Sequence, residues 1–203
     1  MFVVVMNTNS KLGGVFFMTL SSFIRFTGLC SVIAGILFVS LAIWYNIEMH
    51  AFGAYLDLIG MLFLLLGLVG MYLCQAKAFG KAGFAVFLLA FFGAAMWTGH
   101  SWVNAFLIEV LEKAAPAVLE EPPAILMTGI SLSLYPFFLG LLLFGLYTAI
   151  KGILPRLPAL ILVIVPILDF IPYGSYVAQP LAGAALIWLG YSVWKGSAAA
   201  EVQ

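Results

Sequence analysis

The sequence predicts an all-α integral membrane protein, a bundle of six transmembrane helices with both termini in the cytoplasm. Three observations carry this prediction: 65% of the 203 residues are hydrophobic, only 8% are charged, and the mean hydropathy is +1.19. Soluble domains contain about 45–50% apolar and about 25% charged residues. Eight basic and eight acidic side chains cancel. The basic field that attracts nucleic acid is therefore missing, and we expect no nucleic-acid partner.

Six stretches are long and apolar enough to cross a bilayer, whose hydrocarbon core takes about 20 helical residues. The predicted spans are 26–45, 56–74, 82–100, 124–150, 157–176 and 177–194. Spans five and six are separated by little more than the turn signal around Gln179 and Pro180. The loops are too short to fold alone, so 26–194 is predicted to be one membrane domain.

The first 25 residues are predicted to be a cytoplasmic segment rather than a removed signal peptide. Met1 to Met6 is too short for the apolar core of a signal, and 13–24 lacks a cleavage pattern. Met18 precedes a short polar run and then the first span, so an alternative hypothesis makes Met18 the true start residue. Residues 195–203 are the predicted cytoplasmic tail.

The positions of Lys and Arg predict the orientation, because cytoplasmic loops hold the excess of these residues. With the N-terminus inside, Lys113 alone of the eight basic residues falls outside. The cytoplasmic ones are Lys11, Arg25, Lys77, Lys81, Lys151, Arg156 and Lys195. The acids assigned to the outer loops are Glu48, Asp57, Glu109, Glu112, Glu120 and Glu121. We therefore expect a protein of the cell membrane with an acidic outer surface.

The outer loop between spans three and four has the spacing of an amphipathic helix from Ser101 to Ala115. Its apolar face consists of Trp102, Val103, Phe106, Leu107, Val110, Leu111 and Ala114. Glu109 precedes Lys113 by four residues, the order that favours an ion pair, and Pro116 is expected to end the helix. This helix would lie on the outer membrane surface as a connector, or would dock a membrane-protein partner.

Asp169 is the charged residue that the sequence places within a span, between Pro166 and Pro172. Charges inside a membrane are costly and usually face the bundle interior or a water-filled cavity. Each proline leaves the carbonyl four residues earlier without its helical donor, and interrupted helices beside an acid expose such carbonyls to cations in several transporters. Two interpretations remain open: a ligand site, or a protonated structural residue that joins two kinked helices.

A polar cleft that opens outward is predicted between spans four and five. Helical spacing aligns Asp169 with two tyrosines towards the outside, and three hydroxyl-bearing residues share a face of span four just before Pro136. In an antiparallel hairpin these stripes would face each other, with Tyr135 within one turn of Asp169. The predicted solute- or ion-binding residues are Asp169, Tyr135, Ser131, Thr128, Tyr173 and Tyr176.

His50 and His100 are further candidates, as ligands of a metal at the outer ends of their spans, near several carboxylates. The sequence has no His-x3-His, Cys-x-x-Cys or Glu-x-x-His pattern, so no metal or other cofactor is predicted. Cys30 and Cys74 lie far apart in apolar runs and are interpreted as small core residues.

The sequence thus favours a polytopic membrane protein that binds or permeates a small solute or cation. A second hypothesis is a non-catalytic accessory or scaffold subunit of a membrane complex. A third is a membrane-bound enzyme, but no catalytic residues are predicted. Ser131 has no histidine at a matching depth to act as its base.

Overall fold

A computed structural model describes residues 19–46 and 50–196, with the side chains of 42–51 outside that description. All regular structure in the described residues is helical: α1 (Leu20–Asn46), α2 (His50–Phe106), α3 (Ile108–Ala114), α4 (Pro116–Glu120), α5 (Ala124–Lys151), α6 (Arg156–Asp169) and α7 (Ser175–Trp194). The predictions about the first 18 residues, including the alternative start at Met18, lie outside the described residues, as do those about Glu48 and most of the C-terminal tail.

Four helices in the described part of the chain are long and apolar enough to cross a bilayer. They are Leu20–Leu41 within α1, Phe52–Phe106 within α2, and the whole of α5 and α7. The all-α prediction is confirmed, and apolar helices of this length suit a lipid bilayer. The first helix begins at Leu20, so its first turns include 20–25, which the sequence analysis assigned to the cytoplasmic segment.

The 57 residues of α2 form a hairpin rather than one straight rod. Gly80 has φ 61° and ψ −160°, a backbone conformation that is essentially restricted to glycine. Asp57 and Ser101 are hydrogen-bonded although they are 44 residues apart, a separation of roughly 65 Å along a straight helix. The chain therefore reverses at Gly80, and we call 50–79 the first arm and 81–106 the second arm of α2.

The turn between α6 and α7 differs from the prediction. It lies at 170–174, whereas Pro180, which was expected to mark the turn, lies inside α7. The backbone conformation at Tyr173 and the close packing at Gly174 both belong to this earlier turn. A Cβ on Gly174 would collide with the backbone carbonyl oxygen of Leu168, and Tyr173 has a positive φ of 62°. The apolar stretch 157–176 is not one helix, since α6 ends at Asp169 after 14 residues.

The predicted outer helix from Ser101 to Ala115 is helical but divided. The second arm of α2 continues to Phe106, α3 follows after a break at Leu107, and Pro116 begins α4 instead of merely ending α3. Lys113 Nζ lies 2.6 Å from Glu109 Oε1, and this hydrogen bond lowers the pKa of the Glu109 carboxyl and raises that of the Lys113 ammonium. Neither of these two short, fully described helices contains a buried residue. The interfacial location and the docking role remain predictions.

Glycine contacts allow the helix backbones to approach closely. Cβ atoms added to Gly28 of α1 and Gly190 of α7 would each lie within 3 Å of the other residue's carbonyl oxygen, at 2.8 and 2.6 Å. Ser31 Oγ donates a hydrogen bond of 2.9 Å to the Leu186 carbonyl across the same interface. Helices in lipid associate through such small residues and hydroxyl groups, because lipid tails are as apolar as the helix surfaces and the hydrophobic effect does not drive the helices together. The α1–α7 pair therefore forms a tightly packed side of the bundle.

A matched pair of substitutions tests the packing of the second arm of α2 on α5. A Cβ at Gly93 would lie 2.5 Å from the Phe137 amide nitrogen, whereas a Cβ at Gly99 meets no atom within 4 Å. We expect Gly93→Ala to destabilise the protein by about 1–3 kcal/mol through overpacking. Gly99→Ala should be neutral or stabilising by up to about 1 kcal/mol, because alanine favours the helix. Thermal unfolding in detergent measures both, and equal effects would contradict this packing.

Candidate ligand-binding cavity

Five helices converge on a central cavity of about 80 Å³. Most of its lining is apolar: Phe38, Met61, Leu64, Trp97, Phe137, Phe138, Leu141, Leu162, Val165, Ala178, Ala182 and Leu186. Three further lining residues are polar, namely Asp57 on the first arm of α2, Asp169 on α6 and Gln179 on α7. The cavity therefore brings two carboxyls and an amide into an otherwise apolar enclosure.

Asp57 is a site residue that the sequence analysis missed. Its assignment to an outer loop was wrong, because Asp57 lies within α2 and lines the central cavity. Ser101 is fully buried on the second arm, and its Oγ lies 2.6 Å from Asp57 Oδ2 and 3.1 Å from the Trp97 carbonyl. A hydroxyl has one proton to donate, and the shorter distance assigns it to the carboxylate. The available signal was the position of Asp57 inside the bounds of the second apolar stretch.

Asp169 lines the same cavity and is the last residue of α6. The C-terminal end of a helix carries a partial negative charge from its free carbonyls, so this carboxyl extends a region that already attracts cations. Pro166 lies inside α6 and has no N–H. The Leu162 carbonyl one turn earlier therefore lacks its helical donor, and Leu162 is itself fully buried against the cavity. Asp169 and a donor-free backbone carbonyl thus belong to neighbouring turns of one short helix.

Gln179 on α7 and Trp97 on the second arm of α2 are two further residues of the lining. Gln179 is partly buried on α7 and was not among the predicted site residues. The Trp97 ring stacks on Phe137 at a centroid distance of 5.5 Å with an interplanar angle of 17°. The Trp97 ring also contacts the ring of His100, at a centroid distance of 4.8 Å, and His100 is not among the lining residues.

The structure does not bring the two halves of the predicted cleft together. Thr128, Ser131 and Tyr135 line a separate, shallow depression on α5 of about 410 Å³, whose lining excludes Asp169. Tyr135 is 60% exposed, and the Thr128 hydroxyl donates to the Ala124 carbonyl at 2.9 Å. Asp169 instead faces the centre of the bundle. Ligand binding at these α5 hydroxyls remains a prediction, but they do not line the cavity that contains Asp169.

Tyr173 and Tyr176 also depart from the predicted stripe. They are 83% and 50% exposed and stack on each other at 6.4 Å, outside the lining of the cavity. The prediction extended helical spacing beyond Asp169, but α6 ends there and 170–174 form a turn. Without a continuous helix, residues four and seven positions after Asp169 need not share its face.

The described structure covers the side chain of only one of the two histidine candidates. His100 is partly buried, and the side chain of His50 lies outside the described residues. Within the part of the chain that the structure describes, no three His, Cys, Asp or Glu side chains are grouped closely enough to hold a metal ion. The described cysteines, Cys30 and Cys74, are both free and buried.

No family model, curated protein or solved structure matches this chain. The assignment of the site therefore rests on the cavity, its two carboxyls and their surroundings. An apolar enclosure with a few convergent polar groups has the general character of a small-ligand site.

The hydrogen bond between the two arms of α2 has a matched control one turn away. Ser101→Ala should destabilise the protein by about 1–3 kcal/mol, because a buried carboxylate oxygen loses its donor. Thr98 donates only to the Ala94 carbonyl of its own helix, at 2.8 Å, so Thr98→Ala should cost clearly less. Chemical or thermal unfolding of both variants in detergent gives the comparison. A Thr98→Ala variant as unstable as Ser101→Ala would contradict a specific role for the Asp57–Ser101 bond.

Proposed function

We propose that this chain is a six-span protein of the cell membrane that binds or permeates a small solute or cation in the central cavity. The six spans would be α1, the two arms of α2, α5, α6 and α7. Each arm of α2 is long enough to cross the hydrocarbon core alone. The 14 residues of α6 extend roughly 21 Å, less than the roughly 30 Å core, so α6 would end within the membrane.

One observation carries the functional proposal: Asp57 and Asp169, on different helices, line the same cavity. Charged side chains within membrane segments are costly, and such residues usually mark ion or substrate pathways. A single acid with a purely structural role would need only one hydrogen-bond partner and would not need to line a cavity. Two carboxyls that share a cavity with an amide support a ligand site over the purely structural interpretation of Asp169.

The proposed topology predicts which positions are reachable from outside the cell. In single-cysteine variants on a Cys30→Ala, Cys74→Ala background, Lys113→Cys should react with a membrane-impermeant maleimide in intact cells. Lys77→Cys, Lys81→Cys and Lys151→Cys should react only after permeabilisation, because the proposed orientation places them inside. Labelling of Lys77→Cys in place of Lys113→Cys in intact cells would overturn the orientation, and labelling of both would overturn the six-span arrangement.

The proposed site predicts that Asp169→Asn removes ligand binding while the protein still folds. The protein would be reconstituted in liposomes and tested for flux of Na⁺, K⁺, methylammonium and urea, and in detergent for stabilisation by the same solutes. At least one solute should act on the wild type, and Asp169→Asn should weaken that response tenfold or more. Glu120→Gln, an exposed acid distant in sequence from the cavity-lining residues, is the control. Responses that are equal in wild type and Asp169→Asn would overturn the site.

A further inference from the structure

We propose that the ligand of the central cavity is a single monovalent metal cation, which exchanges with a proton on the Asp57 and Asp169 carboxyls. This inference rests on the proposed function and specifies the class of its ligand. Four properties of the cavity lead to it: its charge, its volume, its ligand atoms and the half-length helix that ends in it.

The charge of the lining requires a positive partner. Asp57 and Asp169 are accompanied by no Lys, Arg or His among the described lining residues. The lining residues of α1, α5 and α7 are not titratable. His100 contacts the Trp97 ring but is not a lining residue, and the exposed Tyr173 and Tyr176 follow the end of α6 outside the lining. Both carboxyls are partly buried in a mostly apolar lining, and such surroundings disfavour two uncompensated negative charges, so the cavity favours a proton or a cation beside them.

The volume limits the size of that cation. A water molecule occupies about 30 Å³ in the liquid, so the cavity of about 80 Å³ holds a few waters or one ion with part of its hydration shell. Pockets for drug-sized molecules measure about 300–1,000 Å³. An inorganic ion therefore fits the enclosure, whereas a vitamin-sized solute does not.

The ligand atoms favour a monovalent metal ion. Carboxylate, amide and carbonyl oxygens suit hard cations, and the lining holds neither thiol nor imidazole for softer metals. Ca²⁺ takes six to eight oxygens, and Mg²⁺ keeps several of its own waters in octahedral geometry. Asp57, Asp169 and Gln179 supply too few side-chain oxygens for calcium, and Asp57 Oδ2 already accepts from Ser101. A monovalent ion needs only one ionised carboxyl for charge balance, and water can supply the oxygens that the lining does not.

The end of α6 adds a second attraction for a cation that does not depend on either carboxylate. The free carbonyls at the C-terminal end of a helix carry a partial negative charge, and α6 ends at the cavity-lining Asp169. Broken helices coordinate Na⁺ through such carbonyls in transporters. Unlike the carboxyls, these carbonyls cannot take up a proton, so they favour the metal ion when the two compete.

Exchange keeps the charge of the cavity constant. When the cation binds, a carboxyl O–H bond breaks, the carboxylate becomes an ionic ligand, and its proton passes to water. One positive charge enters as one leaves. The Ser101 hydroxyl holds Asp57 Oδ2 during either state, so the bond between the arms of α2 does not have to break. Metal sites that displace protons have affinities that depend on pH.

The test uses the full-length protein in nanodiscs with Na⁺, Li⁺ and K⁺ chlorides as probes and choline chloride at equal ionic strength as the control. In weakly buffered solution at least one metal cation should release about one proton per bound ion and stabilise the protein, while choline does neither. Because one proton competes with one cation, the apparent Kd should rise up to tenfold for each unit by which the pH falls. Asp57→Asn and Asp169→Asn should each weaken the cation response at least tenfold, and Glu120→Gln should preserve it.

The outcomes separate this inference from the proposed function. Stabilisation by urea or methylammonium that requires Asp169 but releases no proton would retain the cavity as a site and overturn cation exchange. Absence of any response to all the solutes would overturn both. If the Asn variants fail to fold, the wild-type comparison with choline and the pH dependence of the Kd still decide. Cation binding without proton release, or with a Kd that is independent of pH, would overturn the exchange.

Discussion

The placement of two partly buried carboxyls at an apolar cavity is the constraint on which the rest of this structure depends. Each acid needs a local solution, and the two solutions differ. Asp57 accepts a hydrogen bond of 2.6 Å from the buried Ser101, and this bond joins the two arms of α2 far from their turn at Gly80. Asp169 instead lies at the end of α6, where the helix stops beside a cavity. Acids are costly in lipid. One of these two thus joins a pair of helical arms, and the other lies where a helix ends at the cavity.

Packing explains why the cavity forms at the centre rather than elsewhere. The sides of the bundle are tight, since Gly28 and Gly190 bring the backbones of α1 and α7 together, and Gly93 and Gly140 do the same for α2 and α5. The centre, by contrast, is lined by large rings such as Phe38, Trp97 and Phe137 together with short side chains from α7 such as Ala178. Rigid rings opposite small residues leave space that aliphatic chains would fill.

The fold was largely predictable from the sequence, whereas the site was predictable only in part. The bounds of α5 agree with the fourth predicted span within a residue, because hydropathy and length determine such a helix without help from its neighbours. Asp169 was found because it interrupts an apolar run. Asp57 and Gln179 were missed because each lies near the end of a predicted span, where a polar residue is ordinarily assigned to the interface. The α5 hydroxyls were assigned to the cleft from helical spacing, which shows that they share a face but does not determine whether that face points towards α6.

The sequence alone determined the class of protein, the helices and the presence of an acid among them, since these follow from local composition and from the period of the α-helix. Tertiary structure decided where α6 ends and which polar groups share a cavity. These are long-range outcomes. They depend on the direction in which each helix leaves its turn, and a change of that direction at Gly80 or Gly174 rotates every subsequent side chain towards a different neighbour.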